Sequence, residues 1–565
     1  MRATLLAELG SRFTWPDWLV IAGYLLATTV IGAKLAGKQA TIRDFFLAGR
    51  KLPWWAISSS IIATEISAVT FVAVPTISFA VGGNLTYMQW AIGAIIARVI
   101  IGLYFVPKYY EREIYSPYDY LETRLGVGIK KLTTALFLLG AVLGQGARLY
   151  ITAFVLSAVT GLGLVPSIWI IGAFSVCWTL LGGMTTVIWT DVIQFLVFTI
   201  GACLALYWSV TAVPGGVSEI LPIARAAGKF EWFDGTTDLS MPYTIWIGLL
   251  AMPFLNLAAF GTDQVMAQRI FCCRTRRDAA KAIIVSNVGI VLALVMLLVG
   301  VALWAYFRHN PLTPREAQLF SKDENYLLPI FVVRAMPVGV RAVIVAAIFA
   351  AAISTLDGAL TALAQTTVDL SAKRRAETAR RRGSGRWAAL LSSDIAFSKA
   401  LVVAWAAVLC LMGMACIVIA RQYANAVELA FALVGYTYGP MLGIFLLAFL
   451  PTGRDHTGLV WAVPMSVLMV FGMYQHGVWA NWIVWAGVAF FLLLALIRSQ
   501  GNPRRVAVIV IGALAIALLH RLQLGTAPNG APIYLAFNWS YPIGVIMTFT
   551  LGYCLGKRVT FKGGL

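Results

Sequence analysis

Charge is scarce in this chain. Only 12% of its 565 residues are Asp, Glu, Lys or Arg, while 60% are hydrophobic and the mean hydropathy is +0.83. A single soluble core of that composition would have to expose too much apolar surface to stay in water. Cysteine and histidine are scarcer still. The seven cysteines lie mostly inside apolar runs, and Cys272 and Cys273 sit in a basic loop, so no disulfide framework is implied. The four histidines, His309, His456, His476 and His520, are scattered at the ends of apolar runs and form no metal site. A G-x-x-x-x-G-K-[ST] phosphate loop is missing, as is any polar stretch long enough for a nucleotide-binding domain or a catalytic cluster. These gaps argue against a primary pump and against an enzyme.

What the chain has is long apolar runs. A membrane span needs roughly 20 mostly apolar residues, and about fifteen such segments fit between Asp17 and Gly556, most of them 18 to 25 residues long. One leading segment (about 17–36) precedes ten (about 52–450), and four follow (about 457–556). Ten is the number that two inverted five-helix halves require, although the halves show no similarity to each other in sequence. The chain therefore divides into 1–51 (outer amino terminus, leading helix and cytoplasmic loop), a ten-helix core over 52–450, and accessory helices with a cytoplasmic carboxyl terminus over 451–565. The first segment, flanked by Glu8 and Asp17 and lacking a small-residue cleavage site, reads as a span rather than a signal peptide. Two runs, Leu52 to Ala80 and Val338 to Leu370, are longer. A continuous helix of about 30 residues measures about 45 Å, so each must tilt, break or protrude.

The net charge of +19 is a matter of position rather than sum. With the amino terminus outside, 30 of the 43 Lys and Arg residues fall in loops on the inner side and 11 on the outer side. That asymmetry obeys the positive-inside rule and predicts a multi-pass protein of the plasma membrane, or of the inner membrane in a bacterium. The basic stretch SAKRRAETARRRGSGR (371–386) then reads as a solvated linker touching anionic lipid rather than a nucleic-acid site. SPYDYLETRLG (116–126) has the spacing of a short interfacial helix.

An ionisable group at membrane depth costs roughly 2.5–3.5 kcal/mol on insertion scales, so it should face protein or water and serve a purpose. Glu65, Arg98, Arg148, Asp191, Asp357 and Glu428 qualify. Glu428 lies near a boundary and Arg98 can snorkel, which leaves four. Glu65 interrupts IIATEISAVTF (61–71), whose surroundings are rich in small and hydroxyl residues. Such a segment allows close helix packing, and, if unwound, it offers carbonyls to a cation. In AAIFAAAISTLDGALTAL (346–363), Ala351, Ser354, Thr355 and Gly358 share one helix face. Adjacent hydroxyls and a carbonyl suit a hard cation such as sodium, and the same residues suit plain helix packing. Asp191, after a glycine turn in GGMTTVIWTDVIQF (182–195), reads as a cation ligand or as a helix-start carboxylate. Arg148 in LGQGARLYITA (143–153) can hold an anion or neutralise Glu65.

In order and spacing, DFFLAGRKLPWW (44–55), ATEISAVTF (63–71), YSPYDYLETRLG (115–126), GGMTTVIWTDVIQ (182–194), GTDQVMAQR (261–269) and AAIFAAAISTLDGAL (346–360) together resemble the sodium:solute symporter family. That family includes carriers of glucose, proline, iodide, monocarboxylates, vitamins and sialic acid. The resemblance covers about residues 17–450. It implies an all-α LeuT-type 5+5 inverted repeat, with one leading and four trailing helices, working by sodium-driven alternating access. By motif match it implies a sodium site of Ala63, Ile66, Ala351, Ser354 and Thr355. A second cation site in some members corresponds to Asp191, Ser354 and Asp357, with Asp357 and Gly358 standing where those members place hydroxyls. Substrate positions become Glu65, Ser67, Val69, Thr70, Gln89, Gln145 and Arg148. Sugar-binding members carry a carboxylate at the position of Gln89, so a polar organic anion, a monocarboxylate or sugar acid, is preferred here. Glu65 either pairs with Arg148 or touches the substrate.

The expected partners are therefore a small solute, Na+ and the lipid bilayer, with no nucleic acid, and a monomer or loose oligomer. The competing readings are proton coupling, a sugar or amino-acid substrate, a channel, and a solute sensor on the same fold. Saturable, solute-coupled flux separates a carrier from the last two.

Overall fold

The structure is a computed structural model that describes residues 13–35, 46–111, 114, 116–321, 323–382, 394–423, 425–450, 453–498, 503–528 and 530–559. Glu8, much of the loop after the leading helix, the first two residues of the DFFLAGRKLPWW motif, Tyr115 and the 383–386 end of the basic stretch lie outside these residues.

The described chain is nearly all helix, as it must be where no water is available to satisfy backbone N–H and C=O groups. In chain order the apolar helices are α1 (Trp15–Leu35), α2 (Trp54–Glu65), α3 (Ala68–Phe79), α4 (Thr86–Tyr110), α5 (Val127–Thr160), α6 (Leu164–Leu180), α7 (Gly183–Thr211), α8 (Ile247–Thr262), α9 (Gln264–Phe271), α10 (Arg276–His309), α11 (Val340–Arg382), α12 (Asp394–Ile419), α13 (Ala426–Phe449), α14 (Leu459–Tyr474), α15 (Val478–Arg498), α16 (Pro503–Arg521) and α17 (Ser540–Leu555). With α2 and α3 as one segment and α8 and α9 as another, these make the expected one, ten and four. Their lengths depart from the expectation. Among the described residues ten helices are long and apolar enough to cross a membrane, and the bent α2–α3 pair makes an eleventh. The helices α6, α8, α14 and α17 have 16 or 17 residues, only about 24–26 Å at 1.5 Å per residue.

The two over-long runs behave differently. The first breaks: α2 and α3 meet at 60°. The second runs on without a break as α11 and carries the helix 43 residues to Arg382, into the basic stretch. A second interruption separates α8 from α9 at Asp263, whose φ of −76° and ψ of 133° are extended. It falls on the sixth core segment, the counterpart of the first in a five-plus-five arrangement, which is where inverted-repeat carriers place discontinuous helices. Between α6 and α7, Gly183 takes a φ of +53°, a conformation glycine adopts at little cost, and this makes the turn that the sequence suggested.

The chain forms two compact units. The first comprises 1–88, 141–233 and 268–430. Its centre is α11, whose apolar stretch is 94% buried. Small residues permit this: a Cβ on Gly201 of α7 would sit 2.4 Å from the Ala347 Cβ of α11. Lys229 closes the end of α3 by donating to the carbonyls of Ser78, Phe79 and Ala80 at 2.8, 3.3 and 2.6 Å, the favoured place for a cation on a helix.

The second unit comprises 89–140, 234–267 and 431–565. The SPYDYLETRLG stretch forms a helix, Pro117–Leu125, started by a Ser116–Asp119 capping box and ended at Gly126 with φ +90°. Met465, Met469, Val484, Ile509, Ile516 and Met547 help fill the core among α14–α17. His520 is structural: its ring nitrogens meet the Gly472 carbonyl at 2.8 Å and the Asn481 side chain at 2.6 Å. All seven cysteines are free, and no cluster of metal-ligating side chains occurs among the described residues.

Candidate functional site

The first unit holds the candidate site at the α2–α3 break. Helix α2 ends because Ile66 (φ −72°, ψ 112°) and Ser67 (φ −117°, ψ 177°) are extended. Ser67 then restarts the helix as its N-cap, its hydroxyl accepting from the Val69 amide at 3.3 Å and its carbonyl from the Thr70 amide at 2.9 Å. The carbonyls of Ala63 to Ile66 thereby lose the i+4 amides that a continuous helix would give them. Oxygen atoms freed in this way are what a desolvated alkali cation needs.

Helix α11 supplies the facing oxygens. The Thr355 hydroxyl lies 2.9 Å from the Ala351 carbonyl and 3.3 Å from the Thr64 carbonyl, so the two halves predicted for sodium are joined one residue from Ala63. Ser354 turns elsewhere. Its hydroxyl donates to Asp191 on α7 at 2.5 Å, and Ser60 on α2 donates to the other carboxylate oxygen.

The unforeseen member of the cluster is Arg269. Its Nη2 lies 3.1 Å from Asp191 and its Nε 2.9 Å from the Ser60 hydroxyl, and both charged side chains are buried. The guanidinium lies against Gly358, where a Cβ would be 2.5 Å from Nη2. Thus Asp191 and Ser354 come together as predicted, but a protein cation already sits on the carboxylate. Asp357 is not on the same oxygens. The one hydrogen-bond partner of its carboxylate among the described residues is the Thr179 hydroxyl at 3.3 Å, although it lies within electrostatic reach of both Asp191 and Arg269.

Among the predicted substrate positions, Ser67, Val69 and Gln145 are buried, and Glu65, Thr70 and Arg148 are partly exposed. Glu65 and Arg148 form no ion pair. Glu65 acts instead on the Tyr87 phenol, its neighbour in the same unit. Among the described residues Arg148 makes no ion pair or side-chain hydrogen bond, and the side-chain carbonyl of Gln145, one turn earlier on α5, has no partner. Gln89 belongs to the second unit, where its amide nitrogen donates to the Tyr243 carbonyl at 2.6 Å and its oxygen accepts from the Asp234 amide at 3.3 Å.

Comparison with known proteins follows the same lines. The sodium:solute symporter family model matches residues 45–441. The sodium/sialic acid symporter SiaT of Proteus mirabilis is 30% identical over 357 residues, 62% of this chain and 70% of its own length. The human sodium/iodide cotransporter is 28% identical over 79% of this chain and 68% of its own. The mouse sodium-coupled monocarboxylate transporter 1 is 28% identical over 78% and 70%. A solved structure of a sodium-coupled sialic acid symporter, substrate-bound and outward-open, superposes with a TM-score of 0.72 at 22% identity, covering 97% of this chain and 100% of that one. The common architecture is the LeuT-type fold.

Proposed function

The chain belongs to the sodium:solute symporter family, and from that premise we propose that it carries a small organic anion inward with sodium across the plasma membrane, or the inner membrane of a bacterium. The transport core is 52–450, and the amino terminus faces outward and the carboxyl terminus inward. The sodium that drives the cycle binds the carbonyls of Ala63, Ile66 and Ala351 and the hydroxyls of Thr355 and Ser354, on either side of the α2 break. The substrate lies toward Ser67, Val69, Thr70, Gln145 and Arg148.

The observation that carries the choice of anion is Arg148. It is a partly buried guanidinium in a span, with no carboxylate paired to it among the described residues. A carboxylate substrate gives it the bidentate partner that the protein does not. SiaT and the monocarboxylate transporter, both similar to this chain, are named for acids of that kind. Glu65 lies at the break within electrostatic reach of the Tyr87 phenol and forms no ion pair with Arg148.

Uptake into proteoliposomes under an inward sodium gradient tests this, with labelled sialic acid and labelled short-chain monocarboxylates offered in turn. Sodium-dependent, saturable uptake of one acid is expected, with KM raised at least about tenfold in Arg148→Met, the loss of roughly 1.4 kcal/mol or more that a charge-assisted bond represents. Preference for a neutral sugar or amino acid, with Arg148→Met unchanged, would contradict it.

A further inference from the structure

In the second unit, the ends of α14, α15, α16 and α17 that meet near the carboxyl terminus enclose a cavity of about 220 Å³. One water needs only about 10–15 Å³, so the space suits a ligand group rather than a single solvent molecule. Its buried side is apolar, made by Ala495, Ile509 and Leu555, while Trp461, Leu494 and Arg505 are half-buried at its rim. Close backbone packing fixes the walls. A Cβ on Gly458 at the start of α14 would lie 2.3 Å from the Gly552 carbonyl oxygen of α17, and two short antiparallel strands, Gly453–Arg454 and Arg558–Val559, tie the segment before α14 to the segment after α17.

Charge at this end is one-sided. Residues 451–458, 498–505 and 556–562 carry seven Lys or Arg and one acid, Asp455, whereas the opposite end of the same helices, 475–477 and 521–539, carries Arg521 and no acid. Asp455 is occupied in closing its loop: one carboxylate oxygen accepts from the Thr457 amide at 3.2 Å, the Thr457 hydroxyl at 2.5 Å and the Lys557 amide at 2.8 Å. The strand register sets Arg454 opposite Arg558, and like charges opposed across a ladder are destabilising, so an anion is favoured here. At the rim, Arg505 brings a planar fork of N–H donors that matches a phosphate, and Trp461 is of the type that sits at a membrane boundary with one end apolar and the other wet. Next to Leu494, the α15 residues Leu493, Leu496 and Ile497 are exposed, an apolar surface on which hydrocarbon can lie. We propose that this cavity binds the phosphate headgroup of an anionic phospholipid whose acyl chains run along α15. Basic pockets between helices at a membrane surface hold such headgroups, and a zwitterionic lipid would bring a second cation into an already basic mouth. The bound lipid bridges the ends of all four trailing helices. In the orientation proposed above it belongs to the inner leaflet, but the site itself depends neither on that orientation nor on sodium coupling.

Binding of radiolabelled dioleoyl phosphatidylglycerol to the purified full-length protein in detergent tests the proposal, since both ends of every helix are accessible in a micelle. Saturable binding of one lipid per chain is expected, displaced by unlabelled phosphatidylglycerol and at least tenfold less well by dioleoyl phosphatidylcholine. Arg505→Gln should weaken binding at least tenfold, while Arg277→Gln, in an exposed basic loop of the first unit, should leave it unchanged. Leu494→Trp fills the cavity and keeps every charge. It should weaken binding to a similar degree, and it decides the matter should Arg505→Gln fold poorly. Equal displacement by phosphatidylcholine, or unchanged binding in Leu494→Trp, would overturn the site. Displacement by inorganic phosphate as readily as by phosphatidylglycerol would mark a site for soluble anions and overturn the lipid.

Discussion

At the centre of the first unit a single guanidinium, that of Arg269, lies within electrostatic reach of two buried carboxylates. Removing one partner of a buried ion pair leaves the other charge uncompensated, at a cost of about 3–5 kcal/mol. Arg269→Gln should therefore lower stability by that order in thermal unfolding. Adding Asp191→Asn should restore part of the loss, because the stranded carboxylate disappears. A double mutant no more stable than Arg269→Gln would contradict the pairing. This cluster was only half legible in sequence. Asp191, Ser354 and Asp357 each stood out as polar atoms in an apolar run, but Ser60 and Ser354 lie 131 and 163 positions from Asp191, and Arg269 lies 78 away. The available signal was the arginine that closes GTDQVMAQR and the glycine that follows Asp357, since a guanidinium needs room that a Cβ at Gly358 would take. Glu65 shows the opposite case. Its position in a greasy run was plain, but its neighbour Tyr87 and not Arg148 emerges only once the chain turns back on itself.

Among the elements, the broken α2–α3 helix governs the rest. Its length required it to tilt, break or protrude, and the angle of 60° shows that it breaks. The matching break at Asp263 was not read from the sequence, because α8 is short and its π-helical turns carry no compositional mark. Nor could the sequence tell that α11 would run unbroken, since its alanines favour helix as strongly as they favour close packing. Helix α3 is held in place by α10 through Gly300, where a Cβ would lie 2.1 Å from the Pro75 carbonyl oxygen and 2.2 Å from the Ser78 hydroxyl. Backbone cannot yield there as a side-chain tip can. Gly300→Ala should cost about 1–3 kcal/mol by overpacking and should reduce sodium-dependent uptake more than it reduces the amount of folded protein, because the displaced element is one half of the broken helix. Unchanged melting temperature and uptake would show that α3 is not held there.

For the molecule as a whole, hydropathy alone located the fifteen apolar segments and their grouping into one, ten and four. It could not show that 431–565 share a compact unit with 89–140 and 234–267, because such contacts join segments far apart in sequence. Sodium coupling, the central claim, is a property of the folded whole: an ion that binds only the native state stabilises it by RT ln(1 + [L]/Kd), about 2.7 kcal/mol at one hundred times Kd. The most direct measurement is the melting temperature of the purified protein in sodium against potassium at equal ionic strength, for wild type and Thr355→Ala. Sodium should raise the wild-type value above that in potassium, and Thr355→Ala should shrink the increment. Equal melting temperatures in the two salts up to saturating concentrations, with no change in the variant, would contradict a sodium site built on the α2 break.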